Sequence, residues 1–110
     1  MAAKFEIKKN AKGKFHFNLK AGNGEIILTS ETYESKEGCQ NGIASVKTNS
    51  ANDGAFERKT AKDGSPYFTL KAANGEIIGK SEMYKTTRSM ENGIASVGRN
   101  APEAPVVDAA

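Results

Sequence analysis

The chain has no tryptophan, one cysteine (Cys39), one histidine (His16) and three prolines among its 110 residues. With aromatic residues at only 7%, its core has to be small and mainly aliphatic. A lone cysteine excludes an intrachain disulfide framework and suits a reducing compartment. A lone histidine without cysteine or carboxylate partners at matching spacing makes no metal set. No run of about 18 apolar residues occurs, so no membrane span is expected. The start, Met1-Ala2-Ala3-Lys4-Phe5-Glu6, lacks the apolar centre of a signal peptide. A soluble, cytoplasmic protein without a membrane partner is the expectation. No catalytic constellation or phosphate loop stands in the chain, so neither enzymatic activity nor a cofactor is expected.

What is present is charge and repetition. Apolar residues make up 37% and charged residues 26%, the balance of a globular domain. The net charge is +3, and the stretch 101–110 holds Glu103 and Asp108 without a cation, so residues 1–100 carry +5. Lysines and arginines are spread along the chain. Lys8, Lys9, Lys12 and Lys14 form the one local concentration. Such lysines ordinarily guard a strand edge against pairing, and the alternative is a weak phosphate-contacting patch.

The segment Leu19-Lys20-Ala21-Gly22-Asn23-Gly24-Glu25-Ile26-Ile27 returns as Leu70-Lys71-Ala72-Ala73-Asn74-Gly75-Glu76-Ile77-Ile78. Sliding the chain by 51 aligns 5–50 with 56–101 without a gap, and 23 of those 46 positions are identical. This is a duplication with matching elements and loop lengths. Half the chain would bury too little surface to be stable alone. We therefore expect one domain over 1–110, built from repeats 4–51 and 55–108, a monomer that is internally a pseudo-dimer.

Each copy reads as three strands and a helix. Phe5 and Ile7 alternate with Glu6 and Lys8, the period of a half-buried strand, although Arg58 replaces Ile7 in the second copy. Phe15, Phe17 and Leu19 stripe the next strand; their counterparts are Pro66, Phe68 and Leu70. Asn23-Gly24 and Asn74-Gly75 then mark hairpins. A three-residue loop with a glycine bulge would pair Leu19 with Ile27, and a two-residue loop would pair it with Leu28. Because Gly79 stands at the position of Leu28, the first arrangement is expected, with Ile27 and Ile78 facing the core.

Ser35, and Thr86 or Thr87, can cap helices. The helices' apolar stripes are Cys39, Ile43 and Val46 in one copy and Met90, Ile94 and Val97 in the other. Gly42 and Gly93 interrupt these stripes at a helix cost of roughly 1 kcal/mol each, which implies a close approach that leaves no room for a Cβ. Left-handed caps are expected near Asn49 and Asn100. Val106-Val107 is either a last strand or a frayed end.

The remaining polar groups have ordinary accounts. His16 lies opposite the apolar stripe and is replaced by Tyr67. Cys39 sits near a helix start, but its interchange with Met90 indicates packing. Glu25, Glu76, Glu31 and Glu82 read as solvated carboxylates. Tyr33 and Tyr84 plug a strand-to-helix corner. Lys12-Gly13-Lys14-Phe15-His16-Phe17 has a flavour of sheet-surface RNA binders but not their residue order.

The duplicated turn, the Ser-Glu-x-Tyr segments (Ser30 to Tyr33, Ser81 to Tyr84), the Asn-Gly-Ile-Ala-Ser-Val helix segments and the tail from Asn100 to Asp108 resemble the YegP-like family over residues 4–108. The resemblance implies an α+β fold of two tandem β-β-β-α-β repeats. These would form one mainly antiparallel sheet with two helices on one face and pseudo-twofold symmetry, the C-terminal strands being exchanged between repeats. It also implies that single-copy members build the same body as homodimers. It brings no activity, substrate or site residue. The function expected is a non-enzymatic interaction or structural module with a protein partner on the open sheet face or an edge. The alternative is weak nucleic-acid binding through the basic first hairpin.

Overall fold

The computed structural model describes residues 3–110. Strands β1 (Lys4–Lys9), β2 (Phe15–Lys20) and β3 (Ile26–Thr29) precede helix α1 (Lys36–Asn49). The second copy repeats this with β4 (Phe56–Thr60), β5 (Pro66–Lys71), β6 (Ile77–Lys80) and α2 (Thr87–Asn100), and β7 (Val106–Asp108) closes the chain. All seven strands form one sheet in the order β4-β5-β6-β3-β2-β1-β7. The copies join at its centre, where β3 meets β6 antiparallel at Thr29 and Lys80.

Among the described residues, positive φ occurs only at Gly13, Gly24, Gly64 and Gly75, one per hairpin. At the duplicated turn the Ala21 carbonyl accepts from Gly24 N–H, and Ala21 N–H donates to Glu25. This is the expected three-residue loop with a glycine bulge. The Asn23 and Asn74 side chains accept from the N–H groups of Glu25 and Glu76, which locks each tip. The register beyond the loop departs from expectation. Lys20 pairs with Ile26, but a second irregularity follows and Leu19 pairs with Leu28, not Ile27. The extra residue lets both Ile27 and Leu28 bury, as Ile78 does beside Gly79.

The helices are capped by Ser35 and Thr86, whose hydroxyls accept from Gly38 and Ser89 N–H, a contribution of about 1 kcal/mol each. The expected left-handed caps do not form. Both helices run on in right-handed geometry, at Ser50 and Ala101, and the Asn49 and Asn100 amides donate back to the Ser45 and Ser96 carbonyls.

Phe5, Ile7, Phe17, Leu19, Leu28, Phe68, Leu70, Cys39, Val46 and Val97 are fully buried between sheet and helices. Each large apolar side chain there contributes roughly 1.5–3 kcal/mol of transfer free energy. Helix α1 also packs on β5 and β6, and α2 on β3, so each helix crosses onto the other copy. The core is therefore shared.

Strand exchange occurs once. Pairing parallel to β1, β7 returns the second copy's end to the first. The reciprocal strand expected after α1 is not formed. Residues 50–55 contain one 3-10 turn, Asp53–Ala55, and lead directly into β4. A connector that short can link the copies or add a strand, and covalent fusion makes it the link.

Candidate functional site

Strand alternation sends Phe5, Ile7, Phe17 and Leu19 toward the helices and their neighbours to the opposite face. The registers then line up Glu6, Asn18, Thr29, Lys80, Thr69 and Glu57 as one polar row across six strands. Beside that row Lys8 pairs with His16, Lys59 with Tyr67, and Lys4 with Lys20. Lys71 stands next to Thr69 on the same face, beyond the row.

Each copy builds its half around one carboxylate. Glu6 Oε1 lies 2.9 Å from Lys20 Nζ and 3.4 Å from Lys8 Nζ. Glu57 lies 3.0 Å from both Lys71 and Lys59. The Lys20 ammonium holds the Glu6 carboxyl below the ordinary carboxylate range, and Lys71 does so for Glu57. In return Glu57 raises Lys59. Lys80 Nζ stands 5.2 Å above the Tyr67 ring. At the floor, Asn18 and Thr69 are only 8% and 4% exposed, and among the described residues Thr69 Oγ1 has no hydrogen-bond partner.

Six lysines (Lys4, Lys8, Lys20, Lys59, Lys71 and Lys80) share this face with two glutamates, a net charge of +4. The whole chain carries +3. The sum for the face covers its strand residues; Glu31 and Glu82 line a cleft together with Thr29 and Lys80 of the polar row, so carboxylates border the face at its centre.

The lysines singled out from the first hairpin do not come together. Lys8 joins the helix-free face; Lys9 turns to the helix side, 5.6 Å from the Phe15 ring. Lys12 is at the exposed turn, and Lys14 pairs with Glu34. Lys4, Lys20, Lys59, Lys71 and Lys80 are the ones that pattern reasoning passed over. Their signal was available in the spacing Lys4-x-Glu6-x-Lys8, His16-x-Asn18-x-Lys20, Glu57-x-Lys59 and Tyr67-x-Thr69-x-Lys71, all of opposite parity to the Phe and Leu stripe.

The other residues set apart by the repeat have structural duties. Tyr33 stacks on Phe17 at 6.3 Å, and Tyr84 on Phe68 at the same distance. Their hydroxyls occupy the space above Gly42 and Gly93, where a Cβ would lie 2.3 and 2.2 Å away. The close approach inferred for those glycines is first to the corner tyrosine and then to the sheet, whose Phe17 and Phe68 rings lie 3.1 and 3.2 Å from the same Cβ positions. Burial raises both phenols. Ile43 and Ile94 are buried beside them.

Cys39 is fully buried, and its thiol is pushed up to about 11 by burial and, secondarily, by Asp108. That is the state of a packing residue. Glu31 and Glu82 are exposed on a shallow cleft of about 310 Å³ where the copies meet. The flanking Ser30 and Ser81 hydroxyls are engaged, accepting from Phe17 and Phe68 N–H. Among the described residues no three His, Cys, Asp or Glu side chains are placed to hold a metal ion. No helix among them is long and apolar enough to cross a membrane.

Comparison with known proteins matches this architecture closely. The sequence profile described as "Domain of unknown function (DUF1508)" matches twice, at residues 10–57 and 61–108. A UPF0339 protein of Bordetella pertussis is 63% identical over 94 residues, 86% of this chain and 85% of that protein. The UPF0339 protein YegP of Escherichia coli K12 is 54% identical over 108 residues, 98% of each chain. The solution NMR structure of yegP from E. coli superposes with a TM-score of 0.94 at 53% identity, covering 99% of this chain and 94% of that one. That of a UPF0339 protein from Shewanella oneidensis gives 0.92 at 48%, covering 98% and 92%. The chain therefore belongs to the DUF1508 family, in the tandem-duplicated YegP-like form.

Proposed function

We propose that the chain is a non-enzymatic binding module whose helix-free sheet face takes a polyanion, with single-stranded nucleic acid as the class that fits best. One observation carries this reading: the strand residues of one sheet face gather six lysines against two glutamates, a net +4. A single strand can lay its phosphates along such a field and its bases on the rings of His16 and Tyr67, which occupy matching places in the two halves. The face is continuous across both copies, so the molecule acts as one domain, a monomer in which repeats 4–51 and 55–108 each supply half of the surface. The single buried thiol suits a reducing cytoplasm. Compared with binding through the first hairpin, this reading moves the contacts from Lys9, Lys12 and Lys14 to Lys4, Lys20, Lys59, Lys71 and Lys80.

The test is fluorescence anisotropy with labelled oligo(U) and oligo(dT) over a salt series. With about four phosphates neutralised, log affinity should fall with log salt at a slope of about −3. Replacing Lys20, Lys71 and Lys80 together by Gln should reduce binding at least tenfold, while Lys12→Gln with Lys14→Gln leaves it unchanged. No binding at low salt, or loss on the hairpin variant alone, would defeat the proposal.

A further inference from the structure

Pseudo-symmetry makes the outer edge of β4 the counterpart of the outer edge of β1, and among the described residues a strand pairs only with the β1 edge. There β7 lies parallel, pairing Phe5 with Val106, Glu6 with Val107 and Ile7 with Asp108. Phe5 N–H donates to the Pro105 carbonyl and Ala109 N–H to the Ile7 carbonyl, so Phe5 and Ile7 present their backbone groups to that side. Phe56 and Arg58 hold the same positions in β4, which pairs with β5 in the same register as β1 with β2. Phe56 N–H is taken by the Asp53 carbonyl. The outward backbone groups that remain among the described residues are the Phe56 carbonyl and both groups of Arg58 and of Thr60, on a strand that ends the sheet.

We infer that this edge is a docking site for an extended peptide added parallel to β4, with apolar residues beside Phe56 and Glu57 and a basic residue beside Arg58. The molecule's own β7 supplies the template for direction, length and the two apolar positions. Charge sets the third. Beside Ile7, Asp108 reaches the Lys36 ammonium of α1 at 2.6 Å. Beside Arg58, the corresponding side chain meets Glu91 of α2 and Asp53, two carboxylates held on one guanidinium at 2.8 and 3.0 Å. That cluster is net negative, so an acidic residue is repelled and a lysine or arginine is attracted. The same charged cluster keeps two copies from pairing edge to edge, which leaves the site to a complementary segment.

The test is an amide NMR titration of the full chain with two synthetic peptides. One has the sequence of residues 104–110, and the other is the same peptide with Asp108→Lys. The lysine peptide is expected to shift the Arg58 and Thr60 amides and to bind about three-fold more tightly than its partner, the effect of one exposed ion pair. Arg58→Pro removes the outward donor at an edge position that tolerates proline and should abolish the peptide-induced shift of the Thr60 amide. If that variant does not fold, Asp53→Asn with Glu91→Gln should erase the preference for the lysine peptide. Shifts confined to β1 and β7, equal binding of the two peptides, or no shift in β4 would overturn the inference.

Discussion

Tyr33 is held over Gly42 by two backbone hydrogen bonds with Phe15, at 2.6 and 2.8 Å, whereas Tyr84 has a single one, at 2.9 Å to the Pro66 carbonyl. The second copy cannot make the other bond because proline has no N–H. The same contrast recurs elsewhere. Leu28 faces Gly79, and an added Cβ at Gly79 would lie 2.7 Å from the Leu28 side chain. At the pseudo-twofold axis there is room for one leucine, so the duplicated chain keeps one and clears the other. Ile7, sealed by β7, corresponds to Arg58, which forms ion pairs at an open edge. The copies are alike in the turn glycines, the cap hydroxyls and the stacking of a tyrosine over a helix glycine. They differ at the axis, at the outer edges and at the start of the second strand of each copy, where Pro66 stands for Phe15. Fusing two copies frees those positions to specialise, which a symmetric pair of identical chains does not allow.

Breaking the axis should have the largest effect. Leu28→Ala is expected to cost about 2–5 kcal/mol in chemical denaturation, the range for emptying a fully buried site. Gly79→Leu alone should also destabilise, by overpacking against Leu28. Combining Leu28→Gly with Gly79→Leu should recover most of the loss, since only one side chain is needed. A double variant as unstable as the singles would show that the space is not shared.

The tyrosine corners give the next effect. Gly42→Ala should cost about 1–3 kcal/mol from the clash with Tyr33, outweighing the helix propensity of alanine, a gain of roughly 1 kcal/mol. Gly93→Ala should cost less, because Tyr84 has one backbone tether fewer and yields more easily. Equal costs would mean that the second tether does not hold Tyr33 in place.

The smallest effect is in pH. Glu6 and Glu57 are held below the ordinary value of 4.5 by Lys20 and Lys71. A lowered folded-state pKa gives stability that is present above the unfolded value and is lost as pH falls through the folded one. Thermal stability should therefore drop below about pH 4.5, and Glu6→Gln or Glu57→Gln should each flatten part of that drop. Both carboxylates are near solvent, so the change will be modest. A steeper contribution from one of them would mark that half of the face as the more tightly coupled.

Much of the fold was legible because it is local chemistry repeated. Gly24 and Gly75 demand positive φ, Ser35 and Thr86 offer hydroxyls to exposed N–H groups, and Phe17 and Leu19 alternate with polar neighbours. Each of these acts within a few residues, and duplication states it twice. The candidate face was less legible. Its lysines belong to five different strands, and only pairing between strands brings them together. Scanned along the chain they looked dispersed, and the one visible cluster, Lys8 to Lys14, is scattered by the hairpin that carries it.

Local residue types and their spacing settled the two-copy plan, the turn geometry, the helix caps and the burial of Cys39. The register at Leu19 and Leu28 came from tertiary structure, as did the single leucine at the axis, the one-sided strand exchange and the gathering of positive charge on the helix-free face. Those features depend on which segments lie side by side. That is decided by packing against a shared core and by the length of the 50–55 connector, neither of which any short stretch of residues encodes alone.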